Sequence, residues 1–123
     1  MPASPGPNVG LYAGWAAREF YKTEMDANLF ALEVLTQLHV KNQTLNTPPG
    51  SPAHGDAHII GSAPTGPWAL HAREITAWNG LLAVPAWVFF VPKKGWVASD
   101  EAARQRLVYE PTDASKWVFL NGW

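Results

Sequence analysis

The sequence predicts an α+β fold: an extended N-terminal arm and one long helix, followed by a small antiparallel, Trp-rich β domain. Three observations predict it. The first 14 residues mix three prolines and three glycines with Val9, Leu11 and Tyr12, a combination that fits neither a helix nor a regular strand. One stretch only, from Thr23 to Leu38, carries apolar residues at helical spacing. Beyond Asp56, short runs rich in β-branched and aromatic residues alternate with clusters of Gly, Pro, Asn and Asp.

Taken in order, the arm covers residues 1–22 and a single domain covers 23–123, with a helix over 23–39 and a β-rich region over 56–123. Thr23 is the expected helix N-cap, with Asp26 three residues on as a weaker capping box. Around the helix, Ala27, Phe30, Ala31, Val34 and Leu38 form one apolar stripe, and Met25, Leu29 and Leu32 form another roughly opposite. A helix apolar on two sides needs cover on two sides, and one small sheet supplies cover on one. The second stripe is therefore expected to pack on symmetry-related helices. After Val40, the paired prolines Pro48 and Pro49 with Gly50, Pro52 and Gly55 enforce an irregular connection. The expected strands are His58 to Ile60, Glu74 to Trp78, Ala86 to Val91, Arg106 to Glu110 and Trp117 to Leu120, with turns at Trp78-Asn79-Gly80 and Pro92 to Gly95. Even spacing of short strands points to an antiparallel meander or a small barrel-like sheet.

Composition narrows the function classes. Charged residues are only 15% of the 123, against the roughly 25% of an ordinary soluble domain, so part of the surface is expected to be covered by a partner. A net charge of −1, with nine scattered Lys and Arg, gives no basic stripe for phosphates, so no nucleic-acid partner is expected. There is no cysteine, which removes disulfides, thiolate metal sites and cysteine nucleophiles. No basic residue precedes an apolar stretch at the N-terminus and no apolar run reaches the roughly 18 residues of a membrane span, so the expectation is a protein made and kept in the cytosol, with no membrane partner.

Chemistry has few candidates. His54-Gly55-Asp56-Ala57-His58 puts two imidazoles and a carboxylate within five residues, but only His71 is available as a further histidine in the β region, short of a tetrahedral site. The expected role of Asp56 is to cap a turn. Asp100-Glu101 and Glu110 with Asp113 are acidic by residue type alone, and no nucleophile-and-base, phosphate-loop or zinc-protease motif occurs. No enzyme activity, metal or cofactor is expected. The seven tryptophans admit two readings, since exposed indoles stack on sugar rings while a small sheet poor in aliphatic residues also fills its core with aromatics. Trp68, Trp78, Trp87 and Trp96 fall where core aromatics belong. Trp117 and Trp123 are freer and are the candidate glycan contacts, and His71 is read as a hydrogen-bonded structural histidine.

Gln37-Leu38, Val40, Thr44-Leu45, Pro48-Pro49, Ser51-Pro52-Ala53, Gly55-Asp56 and Ile59 form one ordered pattern. Thr65-Gly66, Trp68, His71, Ile75, Trp78, Trp87, Phe89, Pro92 and Gly95-Trp96 continue it, and Gly10-Leu11 fits its start. Through these residues the chain resembles, over nearly its whole length, a family of uncharacterised domains found in tail fibre, tailspike and head-spike proteins of tailed phages and prophages. It departs from the family pattern at Asp26-Ala27-Asn28, where Asn-Glu-Ala is usual, and at residues 81–86, which look inserted. The resemblance implies a virion protein assembled in the host cytoplasm and acting through contact, with a suspected role in host attachment and no enzymatic activity. Its partners are then itself, as a homotrimer, and other virion proteins, with Phe30, Val34, Leu38 and Trp15 as the interface residues. The alternative is a carbohydrate-binding module for host surface polysaccharide.

Overall fold

A computed structural model of the chain describes residues 4–6, 8, 10–14 and 22–120. Two compact units divide it at residues 36 and 37, so the helix falls in the same unit as the arm.

The first unit holds β1 (Ser4–Pro5), β2 (Tyr12–Ala13) and α1 (Lys22–Leu35). The arm was expected to carry no regular strand, yet Ser4 pairs with Ala13 and Pro5 with Tyr12 in a two-residue antiparallel ladder. Proline is tolerated there because an edge strand can spare one N–H. Asn28 ties this ladder to the helix: its Oδ1 accepts from the Tyr12 N–H at 2.6 Å and its Nδ2 donates to the Tyr12 carbonyl at 2.9 Å. The side-chain amide thus occupies the place of a third strand.

α1 differs from expectation at both ends. Thr23 is inside the helix, and Asp26 pairs with Lys22 across one turn at 2.6 Å, so no capping box forms. The helix stops at Leu35, because Gln37 takes a left-handed conformation (φ 54°) and the Thr36 N–H closes on the Leu32 carbonyl at 3.0 Å. His39, expected as the helix end, forms a strand with Val40.

The second unit contains two sheets. The larger orders β3 (His39–Val40), β7 (Val97–Asp100), β8 (Gln105–Tyr109) and β9 (Trp117–Phe119). The smaller orders β4 (Ala57–Ile59), β5 (Ile75–Asn79) and β6 (Ala86–Phe90). All pairings are antiparallel except β3 with β7, where His39 lies beside Ser99 and Val40 beside Asp100 in parallel. The meander is therefore split into two sheets, the smaller inserted in sequence between β3 and β7. The core of this unit is Leu38, Val40, Ile59, Ile60, Trp68, Ile75, Ala77, Ala98, Leu107 and Trp117, all at 6% exposure or less.

The Pro-rich connection is irregular but firmly held. Lys41 donates to Ala57, Ile59 to Asn42, Gly61 to Leu45 and Thr65 to Asn46 through main-chain bonds of 2.7–3.0 Å, so residues 41–46 run along the outer edge of β4. Gly61 is required by this approach, since a Cβ there would sit 2.2 Å from Asn46 Oδ1 and 2.9 Å from the Leu45 carbonyl. Asp56 caps a turn, its Oδ2 accepting from the Ala53 N–H at 2.9 Å beside a left-handed Gly55 (φ 89°).

Candidate functional site

Main-chain geometry fixes which way β5 and β6 face. Trp78 exchanges bonds with Gly55 and Asp56 on the β4 side, and the Glu74 carbonyl accepts from Ile60 on that side too. Bonding direction alternates along a strand, so Ile75, Ala77 and Asn79 bond toward β6, to Phe90, Val88 and Ala86. His58, Thr76, Trp78, Trp87 and Phe89 consequently share one face of the small sheet.

That face is an aromatic cluster. Trp78 and Trp87 are direct cross-strand partners with ring centroids 5.2 Å apart, and Trp87 meets Trp68 edge-on at 5.2 Å. Trp68 arrives from a 3-10 turn (Gly66–Trp68) and is fully buried, whereas Trp78 and Trp87 stay half-buried. His71 stacks on Phe89 at 3.7 Å with the planes 4° apart, and its Nδ1 lies 2.8 Å from Glu74 Oε1, the hydrogen bond expected of a structural histidine.

His58 closes the cluster, 5.7 Å from Trp68 and 5.9 Å from Trp87. Only 3% of it is exposed, its Nδ1 sits 3.3 Å from Asn42 Oδ1, and its Nε2 and the Trp68 Nε1 have no partner among the described residues. Burial pushes the imidazole below its ordinary pKa; Asp56 opposes that and Lys41 adds to it more weakly. The folded state therefore binds fewer protons than the unfolded chain, so the His58 contribution is intact above the unfolded pKa of about 6.5 and is lost as the pH falls below it, levelling off beneath the folded pKa. Urea unfolding at about pH 7.5 and about pH 5 is expected to show a larger acid loss in the native protein than in His58→Gln. Equal losses would remove His58 as the titrating group.

A second focus lies where the two sheets meet. Arg73, in a left-handed conformation (φ 61°), spreads its guanidinium over the Ser115 carbonyl at 2.9 Å, the Gln43 carbonyl at 2.9 Å and Gln43 Oε1 at 2.7 Å, with the Ile60 carbonyl at 3.3 Å. All four acceptors are neutral, and burial lowers the guanidinium pKa from its usual value. The Arg73 carbonyl in turn accepts from Trp117 Nε1 at 2.8 Å. Arg73 was not singled out in the sequence, and its only signal there is that it and Glu74 are the sole charged residues between Asp56 and Lys93.

The expected contact residues need correction. Phe30, Val34 and Leu38, read as interface positions, are buried within the single chain at 7%, 7% and 6% exposure, so they are not available as a contact surface. The open helix positions are Leu29 at 59% and Leu32 at 44%, from the second stripe. Trp117, read as a glycan contact, is 3% exposed, hydrogen-bonded to Arg73 and edge-on to Tyr109 at 5.1 Å; a cross-strand aromatic is core here, not a platform. Trp96, with Trp78 and Trp87, is half-buried, where core was expected. Trp15 and Trp123 lie outside the described residues.

Among the described residues the titratable groups named from the sequence are spread over separate turns and strands. His54 Nδ1 accepts from the Gly80 N–H at 3.0 Å at the surface, away from the buried His58 ring. Asp100 Oδ1 accepts from the Ala103 N–H, and Glu110 Oε1 from the Thr112 hydroxyl. Asp113 Oδ1 accepts from the Ser115 hydroxyl and N–H, which hold its carboxyl below the usual range. Ser99, Asp100, Glu101, Arg104, Gln105 and Arg106 line an open groove that carries both charge signs and no aromatic ring.

Residues 25–118 match the model of the family described as "Protein of unknown function (DUF2793)", and the chain belongs to that family. No curated protein matches the chain.

Proposed function

We propose that this DUF2793 member is a non-enzymatic structural subunit of a tailed-bacteriophage virion, a fibre, spike, connector or decoration protein that works by assembling with itself and with other virion proteins. The observation that carries the reading is the open apolar stripe of α1, where Leu29 and Leu32 lie one turn apart at 59% and 44% exposure. Leu81 and Val84, each 80% exposed at the loop after β5, add apolar surface elsewhere. Low overall charge supports covered surface, and the resemblance to phage fibre and spike domains supplies the setting. Assembly takes place in the host cytoplasm and the product is the virion.

Contact with host polysaccharide is the second reading, favoured by the half-exposed Trp78 and Trp87 rings. Their 65° tilt makes a ridge and not the flat platform that stacks on a sugar face.

Light scattering tests the assembly reading. The native protein is expected as a trimer, and Leu29→Asp with Leu32→Asp is expected to abolish the threefold association without changing the far-UV dichroism. A folded monomer before and after substitution would reject a helix-mediated assembly and move attention to glycan screens with Trp78→Ala and Trp87→Ala.

A further inference from the structure

The two outer edges of the small sheet are treated differently. Residues 41–46 run along β4 and take up its outward bonds. On β6, Ala86, Val88 and Phe90 bond inward to β5, so the N–H and carbonyl groups of Trp87 and Phe89 point outward. Among the described residues no strand lies beyond β6 and neither of these residues has a main-chain partner on that side.

Natural sheets guard such an edge with lysine, an internal proline, a bulge or a covering segment. Among the described residues β6 has none of these. Its sequence is Ala-Trp-Val-Phe-Phe, its register with β5 is unbroken over five pairs, and residues 75–92 contain no charged side chain. The adjoining Val84 and Val91 are 80% and 61% exposed.

We propose that β6 is a strand-pairing edge whose occupant is β6 of a second copy, antiparallel about a two-fold axis through Val88. This contact is separate from the helix contact of the assembly reading. The register is self-complementary: centring on Val88 sets Trp87 opposite Phe89 of the other copy and Phe89 opposite its Trp87, and these are the residues whose bonding groups face outward. Four main-chain hydrogen bonds form, and two aromatic cross-strand pairs are created. The charges agree as well. In this register Lys93 falls opposite Ala83 and Lys94 opposite Leu82 of the other copy, so no like charges meet. A two-fold pairing of sheets would join chains, or threefold groups of chains, that the particle already holds at high local concentration.

The absence of native cysteine allows a clean test. Val88 would form a non-hydrogen-bonded pair with itself across the axis, with Cα atoms about 4.5 Å apart, inside the reach of a disulfide. Val84 is more exposed but would lie far from its own copy. Under mild oxidation, Val88→Cys is expected to yield at least about tenfold more covalent dimer than Val84→Cys, with the same ratio in the Leu29→Asp, Leu32→Asp background. Adding Phe89→Pro, which deletes an outward N–H and spares the β5 ladder, is expected to abolish the crosslink, whereas Phe89→Ala retains it. Crosslinking equal at the two positions, or absent from both, would overturn the edge pairing. If Phe89→Pro fails to fold, the comparison of Val88→Cys with Val84→Cys decides alone. Loss of the crosslink only in the helix-substituted background would overturn the independence of the two contacts and make edge pairing a consequence of the helix assembly.

Discussion

Arg73→Ala is expected to lower the unfolding free energy by about 2–3 kcal/mol, because it removes charge-assisted hydrogen bonds to the Gln43 and Ser115 carbonyls and to Gln43 Oε1. Three acceptors on two separate segments, the Gln43 carbonyl, Gln43 Oε1 and the Ser115 carbonyl, lose their partner together, while the Ile60 carbonyl keeps the bond from the Arg73 N–H. Arg73→Lys is expected to recover only a minor part of the loss, since one ammonium cannot span the geometry of a planar guanidinium fork. Urea denaturation of the two variants measures this. A cost below about 1 kcal/mol for Arg73→Ala would mean that water serves the carbonyls equally well and that the side chain does not hold the sheets.

The second large effect separates two buried tryptophans by the fate of one N–H. Trp68→Ala and Trp117→Ala should each cost about 3–5 kcal/mol from lost burial and the cavity left behind. Phenylalanine should divide them. Trp117→Phe removes the bond to the Arg73 carbonyl and leaves that oxygen unpaired, adding about 1–3 kcal/mol to the volume loss. Trp68→Phe removes a buried donor with no partner among the described residues, so its cost should be the volume loss alone, and smaller than that of Trp117→Phe. The order of the two urea midpoints checks it, and a reversed order would show that the Trp68 N–H is satisfied in solution.

The class of fold was legible because its signals are local. Five strands lie within about a residue of where β-branched and aromatic runs place them, since a run bounded by turn residues needs no knowledge of its partner. Where a partner decides, the sequence is weaker. β7, Val-Ala-Ser-Asp, has little strand propensity and is a strand because β3 and β8 flank it. The helical apolar pattern runs on to Leu38, and the left-handed turn at Gln37 that ends the helix before it has no marker in composition. The helix stripes illustrate the same limit: the second stripe, read as the one turned to symmetry-related helices, holds the exposed Leu29 and Leu32, whereas Phe30, Val34 and Leu38, named as interface residues, lie on the stripe that is buried. Trp117 was assigned outward because its burial depends on Arg73, 44 positions away. The split of the β region into two sheets is a matter of register between distant segments, which composition does not encode.

The parallel pairing of β3 with β7 has a kinetic consequence. His39 meets Ser99 and Val40 meets Asp100, 60 positions apart, and the whole of β4, β5 and β6 lies in the intervening loop. The entropy of closing that loop must be overcome before the bonds it permits are gained. The β4–β5–β6 sheet and the β7–β8–β9 hairpins are made of nearer neighbours and can form beforehand, each shortening the effective loop. The expected folding order is therefore one in which the two-residue β3 completes the larger sheet only after both subassemblies exist. Until that step β7 has a free edge, and in a chain synthesised in many copies this is the interval most open to pairing with the wrong neighbour.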